Sequence, residues 1–288
     1  MPRPYYKDWI KQMFQKFLDE KIKPEKRFSQ NFLTNENAAK RMVEALDLKE
    51  YETVLEIGPG KGILTKYLIQ RSNNVVGVEI DRRLCSFLEK KFFANKNFTI
   101  INKDFLKVNL NQFASAENRM KVIGNLPYQI TSPILSVLMD NKQLIELAVL
   151  MVQREVAQRI CAQPDSKDWS PLSIGVQLFS DVKSLFKLKP ASFYPTPKVS
   201  STVTKISFLK KPKVEIKDEN LFFKSVKASF AQRRKTILNS LSSNYNIDKT
   251  KLGLVLEKAK IDPKRRAESL SIEEFSVLAE TISQLENE

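Results

Sequence analysis

The run Lys121–Gly124 reads as a buried strand, and it leads directly into Asn125, Leu126, Pro127 and Tyr128. An amide, a proline and an aromatic ring thus arrive together at a strand end. The side-chain oxygen of Asn125 and the backbone carbonyl of Leu126 can accept the two hydrogens of one amino group, while Tyr128 can stack on a flat ring. That set suits chemistry on an aromatic amino nitrogen. Its lone pair is delocalised into the ring, and two acceptors favour rehybridisation towards sp3. Such chemistry runs on positioning and electrostatics, without a strong base. The chain has no histidine, which excludes Ser-His-Asp, Cys-His and histidine general-base mechanisms. The plainer alternative is a strand, a turn and a buried tyrosine.

A second constellation lies upstream. Thr53–Ile57 is apolar or β-branched apart from Glu56, and Gly58, Gly60 and Gly62 follow at spacing two. Ile63, Leu64, Leu68 and Ile69 then take up helical spacing. Glycine in such a turn permits positive φ and a close ligand approach, and a helix N-terminus turns N–H groups to the ligand. The spacing is not the dinucleotide G-x-G-x-x-G. It is not a P-loop either, because Ile63 follows Gly62. Val75–Ile80 is another apolar run and closes on Glu79, 21 residues after Gly58. An acid there can accept from both hydroxyls of a ribose. Without that acid, the glycines would describe only a strand ending in a turn.

Together, Glu56, the three glycines and the acid-tipped second strand resemble the S-adenosylmethionine-binding half of class I methyltransferases. The resemblance implies a Rossmann-like, doubly wound α/β sheet of seven strands with a small helical C-terminal domain. It implies S-adenosylmethionine as cofactor, held by Gly58, Gly60 and Glu79. The acid after the third strand (Phe98–Asn102), Asp104, would meet the exocyclic amine of the cofactor's adenine. Otherwise Asp104 is a turn or helix-cap acid.

Further motifs narrow the resemblance. Arg27–Leu33, RFSQNFL, is similar to the R-F-x-Q-N-F-L signature of adenine N6-dimethyltransferases that act on ribosomal RNA. The family pattern has glycine where this chain has Ser29. Asn31 and Leu33 fall on its cofactor-contacting positions, and Asn125 joins them. Asn125, Leu126, Pro127 and Tyr128 fall on its catalytic motif. Pro190–Val199 resembles the family's F-x-P-x-P-K-V element, so Phe193 would line the target-base pocket and stack with Tyr128; the alternative for Phe193 is a hydrophobic plug. Phe230–Thr236 resembles the F-x-Q-R-R-K-T segment of the small-subunit enzymes, with Arg233, Arg234 and Lys235 as RNA contacts. The implied reaction is transfer of two methyl groups to N6 of each of two adjacent adenosines near the 3′ end of small-subunit rRNA. A large-subunit methylase of the antibiotic-resistance type and a non-catalytic nucleic-acid-binding assembly or transcription factor are the competing readings.

The elements that must position these residues follow from the rest of the chain. At 288 residues with 42% hydrophobic content, one large domain with an appendage can bury a sizeable core. The expected division is an N-terminal helical extension over 1–24, a catalytic domain over 25–208 and an RNA-binding helical domain over 209–288. Residues 5–22 show helical spacing, as a docking helix, an RNA-contacting arm or a partner-binding segment, and Pro24 marks a break. Thr34–Asn37 suits a helix cap before Met42 to Leu46. Leu147–Val152 gives the fifth strand, and a helix runs on from it to Ile160; Val182–Leu188 and Ser201–Phe208 give the sixth and seventh. Cys161–Pro171 reads as an exposed loop, and in the resembled fold loops at this place commonly flank the substrate. Leu221 to Leu241 has helical spacing and would carry the Arg233 run on a helix.

The formal charge of +15 favours a polyanionic partner, here small-subunit rRNA within a pre-ribosomal particle. Cys85 and Cys161 form no C-x-x-C, and without histidine no His-containing zinc site arises; no metal is expected. They read as packed thiols of a reducing compartment. No apolar run is long enough for a membrane span, nor is there a signal-peptide core. The expectation is a cytoplasmic monomer that binds no membrane.

Overall fold

The structure is a computed structural model that describes residues 22–245 and 247–286. The helical reading of residues 5–22 therefore lies outside the described residues, Ile22 apart.

The first compact unit comprises the described residues up to Arg154 together with Lys183–Phe208. It opens with β1 (Phe32–Leu33) and α1 (Glu36–Ala45), whose first turn is capped by the Asn35 side chain accepting from the Ala38 N–H. Next come β2 (Thr53–Ile57), the short α2 (Thr65–Leu68), β3 (Asn74–Glu79), α3 (Arg82–Lys91) and β4 (Phe98–Asn102). β5 (Met120–Asn125), α4 (Thr131–Asp140) and β6 (Ile145–Gln153) complete the parallel part. β2, β3, β4, β5 and β6 are parallel neighbours in the order β4-β3-β2-β5-β6. Every residue of β2 is buried, as expected for a central parallel strand covered on both faces. The order reverses beside β2, which opens a crevice at the carboxyl ends of β2 and β5. The glycine turn and Asn125 both lie at that edge.

α5 (Arg154–Ile160) and α6 (Pro171–Leu178) follow, then β7 (Ser180–Leu188), β8 (Phe193–Tyr194) and β9 (Ser201–Phe208). β9 runs antiparallel to β6, and the full seven-stranded order ends β6-β9-β7. β8 pairs antiparallel with β1, with Phe32 opposite Tyr194 and Leu33 opposite Phe193. α1 packs on the sheet through Ala39, Met42 and Val43, in a cluster with Leu64, Leu68, Val149 and Val203.

The second unit comprises Glu155–Val182 and the described residues from Leu209 onward. Its later helices are α7 (Glu219–Phe230), α8 (Ile237–Ser242), α9 (Lys249–Lys258) and α10 (Ile272–Glu286). Side chains of Asp218, Thr236 and Asp248 cap α7, α8 and α9. Phe222 and Phe275 are fully buried at the centre of this helical core, together with Ile174, Leu178 and Leu241.

Two expectations change here. The stretch 155–182 shares the helical core, so the boundary drawn at 208 separates only part of that unit. Trp169 is the reason: its ring is 2% exposed, and its indole N–H donates to the Leu270 carbonyl at 2.9 Å. Cys161–Pro171 is thus anchored by a buried tryptophan rather than being a free loop. The second change concerns Leu221–Leu241, which is two helices. Residues 231–236 form the turn between them: α7 ends at the Ala231 cap, and Thr236 caps the start of α8.

Candidate functional site

A cavity opens at the crevice. Its walls include Gly58, Gly60, Glu79 and Asp104 on one side and Asn125 to Tyr128 on the other, with Ser29 to Phe32 joining them.

The glycine turn shapes its floor. Gly58, Gly60 and Gly62 all adopt positive φ, at 63°, 58° and 76°. A Cβ on Gly60 would come within 3.1 Å of the Phe32 ring, and one on Gly62 within 2.7 Å of the Phe92 ring. The first glycine pair therefore keeps the cavity open, while Gly62 lets the turn seat against α3. Gly58 N–H donates to the Val78 carbonyl at 2.9 Å, which ties the turn to the end of β3.

Glu79 ends β3 and is 5% exposed. One carboxylate oxygen accepts from the Gly60 N–H at 3.1 Å and the other from the Asp81 N–H at 3.0 Å. Burial raises its pKa, against those two bonds. Each oxygen keeps lone-pair capacity for a hydroxyl in the cavity. Asp104 caps the 3-10 turn Phe105–Lys107 by accepting from the Leu106 N–H at 3.0 Å. It also lines the cavity, so the cap role and a ligand role coexist. Val78, Ile80 and Phe105 add apolar lining beside these acids. A nucleoside, with an apolar base face and a ribose diol that can donate to these acceptors, fits this lining, and so does S-adenosylmethionine. Glu56 stands behind the turn at 1% exposure, accepts from the Thr65 hydroxyl at 2.6 Å and is pushed up to about 8 by burial. It does not line the cavity.

The segment before β1 is strapped over this floor. The Gln30 amide donates to Asp81 at 3.0 Å, and the Glu25 N–H donates to Gln30 at 2.8 Å. The Asn31 carbonyl accepts from the Asn125 amide at 2.8 Å. A carbonyl can only accept, so the Asn125 end beside it must be the NH2 group. The Asn125 oxygen is thereby left as the acceptor. Leu126 is buried, and its N–H donates to the Met151 carbonyl at 3.0 Å. The Pro127 carbonyl takes the Thr131 hydroxyl at 3.0 Å, which fixes the turn against α4. The Tyr128 hydroxyl and the Ser201 hydroxyl share a hydrogen bond of 2.9 Å. Tyr128 lines the cavity, and burial raises its pKa.

The structure therefore brings Asn31, Gly58, Gly60, Glu79, Asp104, Asn125, Leu126, Pro127 and Tyr128 to one cavity. Leu33 and Phe193 do not line it. Both are buried, at 6% and 3% exposure, in the core cluster under α1. They are direct partners across the β1–β8 pair and so point to the same face. The opposite pair, Phe32 and Tyr194, takes the other face; Phe32 lines the cavity and Tyr194 is 60% exposed. Arg233, Arg234 and Lys235 belong to the second unit, in an exposed turn rather than on a helix.

Sequence reasoning assigned no role to Gln30, Phe32, Ile80 or Ser201. Phe32 sits on a strand of only two residues, too short to carry an alternation signal. Ile80, beside Glu79 at a strand end, was legible by position. Gln30 and Ser201 depend on partners 51 and 73 residues away, Asp81 and Tyr128, and had no local signal.

Residues 21–284 match the family model described as ribosomal RNA adenine dimethylase. A ribosomal RNA small subunit methyltransferase A of Clostridium botulinum is 43% identical over 257 residues, which span 89% of this chain and 93% of the relative. Among solved structures, a dimethyladenosine transferase from Plasmodium falciparum aligns with a TM-score of 0.74 at 26% identity, covering 88% of this chain and 98% of that one. The 23S rRNA methyltransferase ErmE aligns with a TM-score of 0.69 at 26% identity, covering 88% and 100%. With its glycine turn, ribose-type acid and Asn-Leu-Pro-Tyr wall on one cavity, this chain belongs to the ribosomal RNA adenine dimethylase family.

Proposed function

We propose that this chain uses S-adenosylmethionine to dimethylate N6 of two adjacent adenosines near the 3′ end of small-subunit rRNA. The observation that carries this reading is the anchored Asn125 amide. Its NH2 is spent on the Asn31 carbonyl, so its oxygen is held as an acceptor before any substrate arrives. Such preorganisation costs no rearrangement during reaction. With the Leu126 carbonyl as second acceptor, the N6 lone pair is turned out of conjugation. Tyr128 holds the base plane by stacking, and Ser201 holds Tyr128.

S-adenosylmethionine, when bound, supplies an electrophilic methyl group on a sulfonium. Gly58, Gly60, Glu79 and Asp104 would hold its nucleoside, and Asn31 would close over it. The nitrogen that accepts the methyl becomes strongly acidic and passes its proton to water, so no side-chain base is required.

The small-subunit assignment rests on the match to small-subunit relatives and on the Arg233-Arg234-Lys235 segment. In this reading the second unit presents those cations to RNA of a pre-ribosomal particle, and the enzyme acts as a cytoplasmic monomer. Among the described residues, no helix is long and apolar enough to cross a membrane.

The test is transfer of labelled methyl groups to isolated small and large subunits lacking the modification. Label should enter small-subunit adenosine as N6,N6-dimethyladenosine. Label in the large subunit would assign the chain to the other substrate class, and no label in either would favour a binding role. Asn125→Ala should cut transfer by more than about tenfold, or roughly 1.4 kcal/mol of barrier; a smaller loss would remove Asn125 from the chemistry.

A further inference from the structure

A second hollow lies in the first unit between α1 and the end of β7. We infer that it is an additional RNA contact, a seat for the sugar-phosphate backbone. This rests on the rRNA reading above and adds a surface to it.

Three cations converge there from two elements: Arg41 on α1, Lys187 on β7 and Lys189 just beyond it. Among the described residues, no carboxylate lines the hollow. The Arg41 guanidinium lies 3.8 Å from the centre of the Phe186 ring. That stacking holds the planar group in place and leaves its N–H edge for an anion, the arrangement that suits arginine to phosphate. Asn37 adds a neutral polar group to the wall.

The floor is rigid. The Thr34 N–H and hydroxyl both donate to the Ser192 carbonyl, at 2.9 and 3.0 Å. Lysines on a sheet-edge strand have a plainer use, which is to discourage edge-to-edge pairing. That use needs no arginine from a helix, no ring beneath it and no concavity, whereas a phosphate backbone uses all three. The position also matters. Thr34 directly follows β1 and Ser192 directly precedes β8, so the hollow adjoins the pair that carries Phe32 to the cofactor cavity. RNA seated there would run close to the active site.

The test uses the full chain and unmodified small subunits. Arg41→Gln, Lys187→Gln and Lys189→Gln together should flatten the plot of log affinity against log salt by about 2–3. Affinity for S-adenosylmethionine and melting temperature should not change. Lys90→Gln, Lys96→Gln and Lys107→Gln together remove the same charge elsewhere and should leave the slope nearly intact. An unchanged slope in the first triple variant, or equal flattening by the second, would overturn the inference. Lys189→Glu alone should weaken binding at low salt more than at high salt. A photo-crosslinking residue at position 189, in an otherwise intact protein, should join to RNA. Joining only to a ribosomal protein, or to nothing, would overturn it. If the wild-type protein itself neither binds nor methylates small subunits, the rRNA reading fails first, and the inference with it.

Discussion

A buried carboxylate with both oxygens already engaged by backbone N–H groups has little freedom in what may replace it. Glu79 is in that position, facing Gly60 on one side and Asp81 on the other. Glutamine in its place would set an NH2 group against one of those N–H donors, so even the isosteric change is unfavourable. Glu79→Gln should weaken S-adenosylmethionine binding by on the order of ten- to a hundredfold, following the roughly 1.5–3 kcal/mol of a charge-assisted hydrogen bond. Burial raises the pKa of Glu79, so its proton returns at a higher pH than on an ordinary carboxyl. In the wild type, cofactor affinity should therefore fall as pH drops through that raised range, and the variant should lack this step. Calorimetry across pH reads both effects, and unchanged affinity in a folded variant would remove Glu79 from the site. Tyr128 is constrained differently, through the hydroxyl of a wholly buried Ser201. If Ser201 acts by holding that ring, Ser201→Ala should lower kcat about two- to tenfold, the worth of one hydrogen bond. The same substitution made on Tyr128→Phe should add nothing, because the partner hydroxyl is already gone. Additive losses would mean that Ser201 acts elsewhere.

At the scale of elements, the segment before β1 decides whether the cavity is closed on that side. Ser29 within it has φ of 50°, in the left-handed region. A side chain there costs roughly 1–2 kcal/mol, which explains glycine in the family pattern. Ser29→Gly removes that strain but gives the unfolded chain more freedom, worth about 0.5–1 kcal/mol in the other direction. The net expectation is a stabilisation of about 0 to 1.5 kcal/mol, read as a higher midpoint in denaturant at unchanged slope. A clear loss of stability would show that the Ser29 side chain contributes contacts of its own. The five parallel strands and α1 were legible because apolar runs and a cap residue are local signals. The glycine turn and Glu79 were legible by spacing. β1 and β8 were not, since each is two residues long and exists only through the other. Without that pairing, nothing in the sequence tells which of Phe32 and Leu33, or of Phe193 and Tyr194, faces inward. Trp169 misled for a related reason: the polar residues around it resemble a surface loop, and its burial depends on helices beyond residue 209.

At the scale of the whole molecule, the surplus of +15 must be divided between cations that meet RNA and cations that hold the fold together. Lys121 is of the second kind: it is 4% exposed, with its ammonium 2.8 Å from Glu52 and 2.7 Å from the Asp47 carbonyl. The segment Arg233-Arg234-Lys235 appears uniform in sequence and is not uniform in structure. Arg233 donates to the Lys167 carbonyl at 2.6 Å and lies 4.0 Å from a Glu268 oxygen, so it braces the turn against the loop that Trp169 anchors. Arg234 and Lys235 are exposed in the same turn. The two roles predict opposite outcomes. Arg233→Ala should lower the melting temperature and leave the salt dependence of small-subunit binding nearly as it was. Arg234→Gln with Lys235→Gln should leave the melting temperature alone and flatten the log affinity–log salt slope by about 1–2, one released counterion for each phosphate contact. Cofactor affinity should hold in both, since Glu79 and the glycine turn belong to the other compact unit. If the double variant keeps its full slope, this turn does not meet RNA, and the phosphate contacts lie on other cations such as those around Arg41. If Arg233→Ala flattens the slope without loss of stability, the brace is incidental and Arg233 belongs with its two neighbours on the RNA.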